Sequence, residues 1–474
     1  MAERKISEMP LLAQGTLVGS TDYVPIVDPS EASTANRNKR ILANSLVQGS
    51  QFTQSGTGAV ARTVESKLRD AVSVKDFGAV GNGSNDDTSA VQAAINTGAP
   101  VFFPPGSYRT TSGLTVTSNY QALFGPGVLV PVGTFDAVTI TGAALGCSID
   151  LTMDCTGQTG YAVSIDNANR TVVKRLLQIN GSSGIYVRKA NWTVIEQWYA
   201  SGLRGGYGIR WFGDAANRSD ILVVEAATCS FVAGNYGTGL DWDGNCNSLT
   251  IFYFGVVTPG YGLRVRDTSG GGLPLIARIH DLEVDYPQYD AVRIETGYDI
   301  DILSLYALGS ATGSGVYVGA AVPADLVRLG GGKSTGNARY GVENVNRIRM
   351  GNVDLTSGAN TLGEISGASA FVAKRFELNT NRYLGMDGGG NMLLVGNANS
   401  YAACTYATGE WILYTGGAAN FRVTHVTGTP YMGFYGATPV AKPAVTGSRG
   451  GNAALASLLT QLASLGLITD STSA

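Results

Sequence analysis

The chain has 474 residues, with 33 Lys and Arg against 36 Asp and Glu; a charged fraction of 15% offers no strong field for nucleic acid or an anionic membrane surface. Length alone allows roughly two to four structural units. The 64 Gly, without a collagen-like period, favour a β protein with frequent tight turns, and five Cys that form no CxxC pair read as free thiols rather than a disulfide framework or zinc site.

The opening MAERKISEMPLLAQ has no apolar leader and no run of eighteen apolar residues occurs, so neither leader-directed export nor membrane insertion is expected. Residues 1–50 read as a small module: a short strand, a polar turn and a second apolar run, too few to bury much surface alone and therefore expected to dock on a partner. Residues 51–72 form a neck, in which Val60, Val64 and Leu68 fall four apart and predict a short helix. In NDDTSAVQAAIN, Asp87 or Thr88 is expected to cap a helix whose apolar stripe is Val91, Ala94 and Ile95. Placed just before the strand VFFPPG, that helix would cover the open end of whatever follows.

Residues 73–365 carry a repeat. A small residue, usually Gly, precedes apolar–x–apolar, with the first apolar residue at 163, 185, 209, 240, 263, 292, 316 and 342. A second series, VIEQW, VVEAA, TIFYF, RIHDL and DILSL, lies between them. Two or three strands per coil of about 25 residues predict a parallel β-helix; β-propeller blades are the weaker alternative because they need about 40–50 residues. Residues 366–445, with GEWILYTGG, NFRVTHV and PYMGFYG, lose that period and read as an antiparallel β domain. In residues 446–474, Leu455, Leu458, Leu462 and Leu465 step at coiled-coil spacing, with Asn452 as N-cap and Gly466 as stop; two heptads suit an assembled oligomer, or else a helix folded back on its own chain.

Chemistry has little histidine to work with: only His280 and His425 are present, GGGKSTGN lacks phosphate-loop spacing, and no metal or other cofactor is expected. Glycosidic cleavage needs two carboxyls. If the apolar residues of each repeat point inward, the residues beside them point outward. One outward column then holds Tyr186, Arg210, Asp241, Arg264, Arg293 and Tyr317, and its neighbour Arg188, Asp243, Arg266 and Glu295. Asp241 and Asp243 should lie about 6.7 Å apart and Asp243 and Glu295 about 9.6 Å, separations that suit inversion better than retention. These three are the expected catalytic residues, and Tyr186, Arg188, Arg210, Arg264, Arg266, Arg293 and Tyr317 the expected substrate contacts. The same face also reads as the solvated polar side of any β-helix. Glu196, Glu225, Glu283 and Asp285 form a competing acid column. A lyase would instead use the arginines to neutralise a uronate, and a binding spike would use the face without cutting.

The runs SVKDFGAVGNGSNDDTSAVQAAIN…VFFPPGSYRTTSGLTV and TGAVARTVESKLRDAVSVKDFGA resemble the opening segment of pectate-lyase-like right-handed β-helix proteins, bacteriophage tailspikes above all. GFYGATPVAKPAVTGSRGGNAALASLLTQLASLGLITDS is similar to a terminal module of phage tail fibres and spikes, so the resemblance covers roughly residues 55–116 and 432–474. It implies a homotrimer on the virion tail, attached through residues 1–50, made in the host cytoplasm and acting at the host surface on a capsule or O-antigen polysaccharide. It implies no single reaction, since hydrolases, lyases, deacetylases and adhesins share the scaffold, and it gives the double acid Asp86-Asp87 no catalytic role.

Overall fold

The computed structural model describes residues 51–344, 348–354, 360–366, 440–464 and 466–474, together with the strands within 23–42 and 372–434. Its body is a parallel β-solenoid. The repeat positions read from the sequence form one straight column: Leu114, Val138, Val163, Ile185, Ile209, Leu240, Leu263, Val292, Val316, Val342 and Ile365 sit side by side across an 11-stranded parallel sheet. The column thus extends two coils earlier and one later than the eight positions the motif reveals. Two residues on, Ile165, Val187, Trp211, Trp242, Val265, Ile294 and Val318 make a second column, and every one is buried. Trp211 and Trp242 stack at 5.7 Å inside the coil, so the largest side chains fill successive rungs of one layer.

The second motif series is equally regular. Val194, Val223, Thr250, Arg278 and Asp301, the first residues of its five members, pair in register along the second wall. Its longest strands, Asn191–Leu203 and Ser219–Phe231, run 13 residues each and turn the corner through a register shift after Ala200.

The small residue that opens each repeat has a steric cause. A Cβ on Gly208 would meet the Gly239 carbonyl oxygen at 2.5 Å, one on Gly239 the Gly262 oxygen at 2.5 Å, and one on Gly315 the Ser334 hydroxyl at 1.8 Å. Stacked backbones leave no room there, which is why the motif is legible at all.

Before the first rung lies the helix Thr88–Ile95, with Val91, Ala94 and Ile95 fully buried as its pattern predicts. Its cap differs from expectation. The Asp87 carboxylate turns away to accept from the Val80 and Gly81 amides at 2.7 and 3.0 Å, and Asp86 accepts from the Thr88 amide at 3.0 Å instead. The helix also serves the sheet: the Gln92 side chain donates to the Thr115 carbonyl at 2.9 Å and accepts from its amide at 2.8 Å. Thr115 belongs to Leu114–Val116, the edge strand of the 11-stranded sheet, so a side-chain amide takes the place of a missing neighbour.

The flanking segments are shorter and less regular than expected. The neck helix covers only Val64–Leu68; Val60 lies outside it and is 78% exposed, and Arg62, paired with Asp70 at 2.7 Å, ties the turn down in place of apolar packing. Tyr23–Val27 and Asn38–Leu42 form an antiparallel pair, and seven strands from Tyr383–Met386 to Val440–Ala441 form an antiparallel sheet. The terminal helix is Ala453–Ser464, capped by Asn452 through the Leu455 amide at 3.0 Å and stopped by Gly466 at φ +76°. It joins two parallel strands, Ala444–Ser448 and Thr469–Ser473, an arrangement the polar sequence TDSTS did not suggest. Leu459 is its buried leucine, Leu455 and Leu458 are exposed, and Leu465 lies outside the described residues.

Candidate functional site

The predicted outward column is real as a column. Ser164, Tyr186, Arg210, Asp241, Arg264, Arg293, Tyr317 and Glu343 pair in register from rung to rung, as do Asp166, Arg188, Phe212, Asp243 and Arg266 beside them. Aromatic and arginine side chains interleave along it. Tyr161 stacks on Tyr186 at 5.0 Å, and the Arg210 guanidinium lies 4.8 Å from the Tyr207 ring and 5.2 Å from Phe212. Arg264 sits 4.9 Å over Tyr261, which packs 5.0 Å from Tyr289, and Arg293 sits 4.3 Å over Tyr317. At this end the face sinks into a cavity of about 380 Å³ lined by Tyr261, Tyr289, Asp290, Arg293, Tyr317 and Glu343.

Pointing away from the coil interior is not the same as meeting solvent, and here the expectation for Asp241 and Asp243 is corrected: both side chains are 0% exposed. Arg266 clamps Asp241 with two hydrogen bonds, 2.8 Å from Nε and 2.9 Å from Nη2. Asp243 accepts from the Thr268 amide at 2.8 Å and the Thr268 hydroxyl at 2.7 Å, and Arg210 reaches both acids at 3.4–3.5 Å. Burial pushes the Asp241 carboxyl up from its ordinary value, against the pull of Arg266. Every carboxylate oxygen of the pair has a partner.

Glu295 is reachable, with 31% of its side chain exposed, but it is clamped too: Arg264 at 2.8 Å and Arg293 at 2.8 Å. Although burial works in the opposite direction, the bonds from Arg293 and Arg264 hold its carboxyl below the usual range, so it stays ionised and cannot serve as an acid. The face therefore brings together all seven predicted contact residues, with Asp241 and Asp243 buried beneath them and Glu295 held by Arg264 and Arg293. Arg188 pairs with Asp166 at 2.6 Å in the same style.

The competing acids do not share one column: the register sets Glu225 between the pairs Val224–Ile251 and Ala226–Tyr253, whereas Glu283 pairs with Gly255 and Asp285 with Val257 further along the wall. Glu283 and Asp285 lie two apart on the strand Leu282–Asp285, whose Leu282 and Val284 are buried. The Tyr253 hydroxyl donates to Glu283 at 2.9 Å. One oxygen of Asp285 is buried without a hydrogen-bond partner, and burial together with the Glu283 charge raises its carboxyl. Both acids line a cavity of about 190 Å³ with Tyr253 and the half-exposed Tyr199. Of the two histidines, His280 stacks on Phe252 at 4.9 Å, and the His425 side chain lies outside the described residues.

Sequence reasoning missed the tyrosines that complete the face. A signal for them exists: Tyr161, Tyr207, Tyr261 and Tyr340 each stand two residues before the repeat mark, as Tyr-Gly or Tyr-Ala.

A family profile described as "Rhamnogalacturonase A/epimerase, pectate lyase-like" matches residues 71–138. Mannuronan C5-epimerase AlgE2 of Azotobacter vinelandii is 34% identical over 145 residues, covering 23% of this chain and 14% of the relative. The pre-neck appendage protein of Bacillus phage B103 is 36% identical over 76 residues (16% and 9%), and the tail spike protein of an Escherichia phage 38% identical over 71 residues (15% and 8%). The chain thus aligns with only a small part of each relative's length. Among solved structures, the N-terminal fragment of bacteriophage Phi29 gene product 12 gives a TM-score of 0.49 at 16% identity, covering 62% of this chain and 65% of that one. A tailspike of E. coli bacteriophage HK620, in complex with a pentasaccharide, gives 0.48 at 11%, covering 68% and 69%. The fold itself is established by the strand register above.

Residues 71–138 thus carry a segment similar to the pectate-lyase-like profile, and stacked parallel coils follow it. The phage relatives, pre-neck appendage and tail spike proteins, are similar to this chain over 14–16% of its length.

Proposed function

We propose that this chain is the receptor-binding spike of a phage tail and that its Tyr/Arg face holds a bacterial surface polysaccharide. The supporting observation is the continuity of that face. Aromatic rings and hydrogen-bonding ion pairs follow one another from Tyr161 on one coil to Glu343 several coils later, a track suited to a chain of sugars. Residues 1–50 are the virion adaptor, the helix Thr88–Ile95 is the lid of a right-handed coil, and the working form is a homotrimer. Leu455 and Leu458, 39% and 55% exposed on the terminal helix, are the seam that two further copies would cover.

A second reading, hydrolysis, is favoured by Asp285. A carboxyl raised by burial beside an ionised neighbour is the division of labour glycosidic cleavage needs, Asp285 as acid and Glu283 as base. The lyase reading is the weaker one, because each arginine it would use on a substrate carboxylate already holds a carboxylate of the protein.

The test begins with bacteria that adsorb the purified protein. Their isolated surface polysaccharide is incubated with it while reducing ends and unsaturated-uronate absorbance are followed. Reducing ends alone support hydrolysis, both signals support a lyase, and binding without either leaves an adhesin. Failure to adsorb to any strain defeats the proposal, and a monomer by light scattering defeats the trimer.

A further inference from the structure

The charge on the Tyr/Arg face is balanced group by group. It carries six arginines, Arg188, Arg210, Arg264, Arg266, Arg293 and Arg339, against six carboxylates, Asp166, Asp241, Asp243, Asp290, Glu295 and Glu343. Each guanidinium lies within ion-pair distance of at least one of those acids, the nearest approaches running from 2.5 Å for Arg339 and Glu343 to 3.4 Å for Arg210 and Asp243. Two more carboxylates, Asp136 and Asp214, lie in electrostatic range of Tyr186 and Arg188. Each of these six arginines is therefore already engaged by a carboxylate of the protein before an anionic guest arrives.

From this balance we infer that the surface is built for a neutral polysaccharide, free of uronate, sialate and phosphate groups; the inference rests on the polysaccharide-binding reading above. An anionic sugar entering here would have to pull an arginine off its own carboxylate and leave that acid unpaired, and at Asp241 and Asp243 the acid left behind is fully buried. It would also meet the Asp136 carboxylate at like charge. A neutral sugar meets no such cost. Its hydroxyls both donate and accept, and an ion pair presents a donor and an acceptor side by side: Arg264 beside Glu295, Arg293 beside Asp290, Arg339 beside Glu343. Its C–H faces pack on the tyrosine rings, whose positions the arginines fix through cation–π contacts of 4.3–4.9 Å. The arginines are then part of the wall and not charge traps.

The inference is tested with the full chain and the surface polysaccharide of a strain it adsorbs to, with polygalacturonate as an anionic probe. The polymer is expected to contain no acidic sugar or phosphate, and its affinity to change less than about twofold between about 50 and 500 mM NaCl, because screening acts only on net charge. No binding to polygalacturonate is expected at either salt. An acidic polymer, a loss of affinity of about tenfold across that range, or low-salt binding to polygalacturonate overturns the inference while leaving polysaccharide binding standing. Failure to adsorb to any strain defeats the underlying reading instead.

Discussion

Two pairs of acids with the same spacing sit on different walls of this solenoid. Asp241 and Asp243, like Glu283 and Asp285, lie two residues apart on a strand, flanked by buried apolar residues and directed away from the coil interior. The first pair is sealed, with every oxygen bonded to Arg266, Arg210 or Thr268. The second opens on a cavity and leaves one oxygen without a partner. Identical spacing therefore serves two ends, and what separates them is the next rung: arginine stands beside the first pair, while Tyr306 and Leu308 stand beside the second. Carboxylates become scaffold where the neighbouring coil supplies a guanidinium, and remain available where it does not.

Replacement of Arg266 should show the sealed state most strongly. Arg266→Ala removes both hydrogen bonds of the buried Asp241 and leaves it only the longer Arg210 contact, a loss of about 3 kcal/mol, read as a drop in thermal midpoint. If the melting curve is unchanged, the pair is not structural and the comparison collapses. At the open pair, Asp285→Asn keeps the shape and removes the acid. On the hydrolysis reading proposed above, cleavage should fall by about 100-fold or more, with stability changed by no more than about 0.5 kcal/mol. Its pH profile has a definite direction: Asp285 must be protonated to act, so the rate falls as pH rises through its elevated pKa. Asp241→Asn at the sealed pair should cost stability without this signature. Equal loss of cleavage in Asp241→Asn and Asp285→Asn, at matched folding, would reverse the assignment. On the binding face, Tyr186→Ala removes the stack on Tyr161, worth about 0.5–1.5 kcal/mol, and affinity for the polysaccharide should fall roughly 3–10-fold.

The fold was legible because its periodicity is enforced sterically. A missing Cβ at Gly208 or Gly239 and a buried residue after it recur wherever two backbones stack, and the motif reports that contact directly. Which residues face outward was legible for the same reason. Whether Asp241 is exposed was not, since exposure depends on Arg266, 25 residues away in sequence and one rung away in space, and on how far its side chain folds back. The terminal strand Thr469–Ser473 was missed because it pairs through backbone alone, with Thr, Ser and Asp side chains carrying no apolar alternation.

The double acid at the start of the solenoid extends the comparison to its smallest effect. Asp87 is buried and bound to two amides, whereas Asp86 is exposed and yet accepts from the Thr111 hydroxyl at 2.6 Å and from the Thr88 amide. Those bonds, led by Thr111, lower the Asp86 carboxyl from 3.8 to about 2. A carboxyl depressed on folding contributes stability that is complete above its unfolded value near 4 and is lost as pH falls through about 2, because the unfolded chain then takes up the proton first. Screening at an exposed position limits the amount to about 1 kcal/mol or less. Thr111→Val removes the leading bond, so it should lower stability by a few tenths of a kcal/mol at neutral pH and flatten the dependence on pH between about 4 and 2.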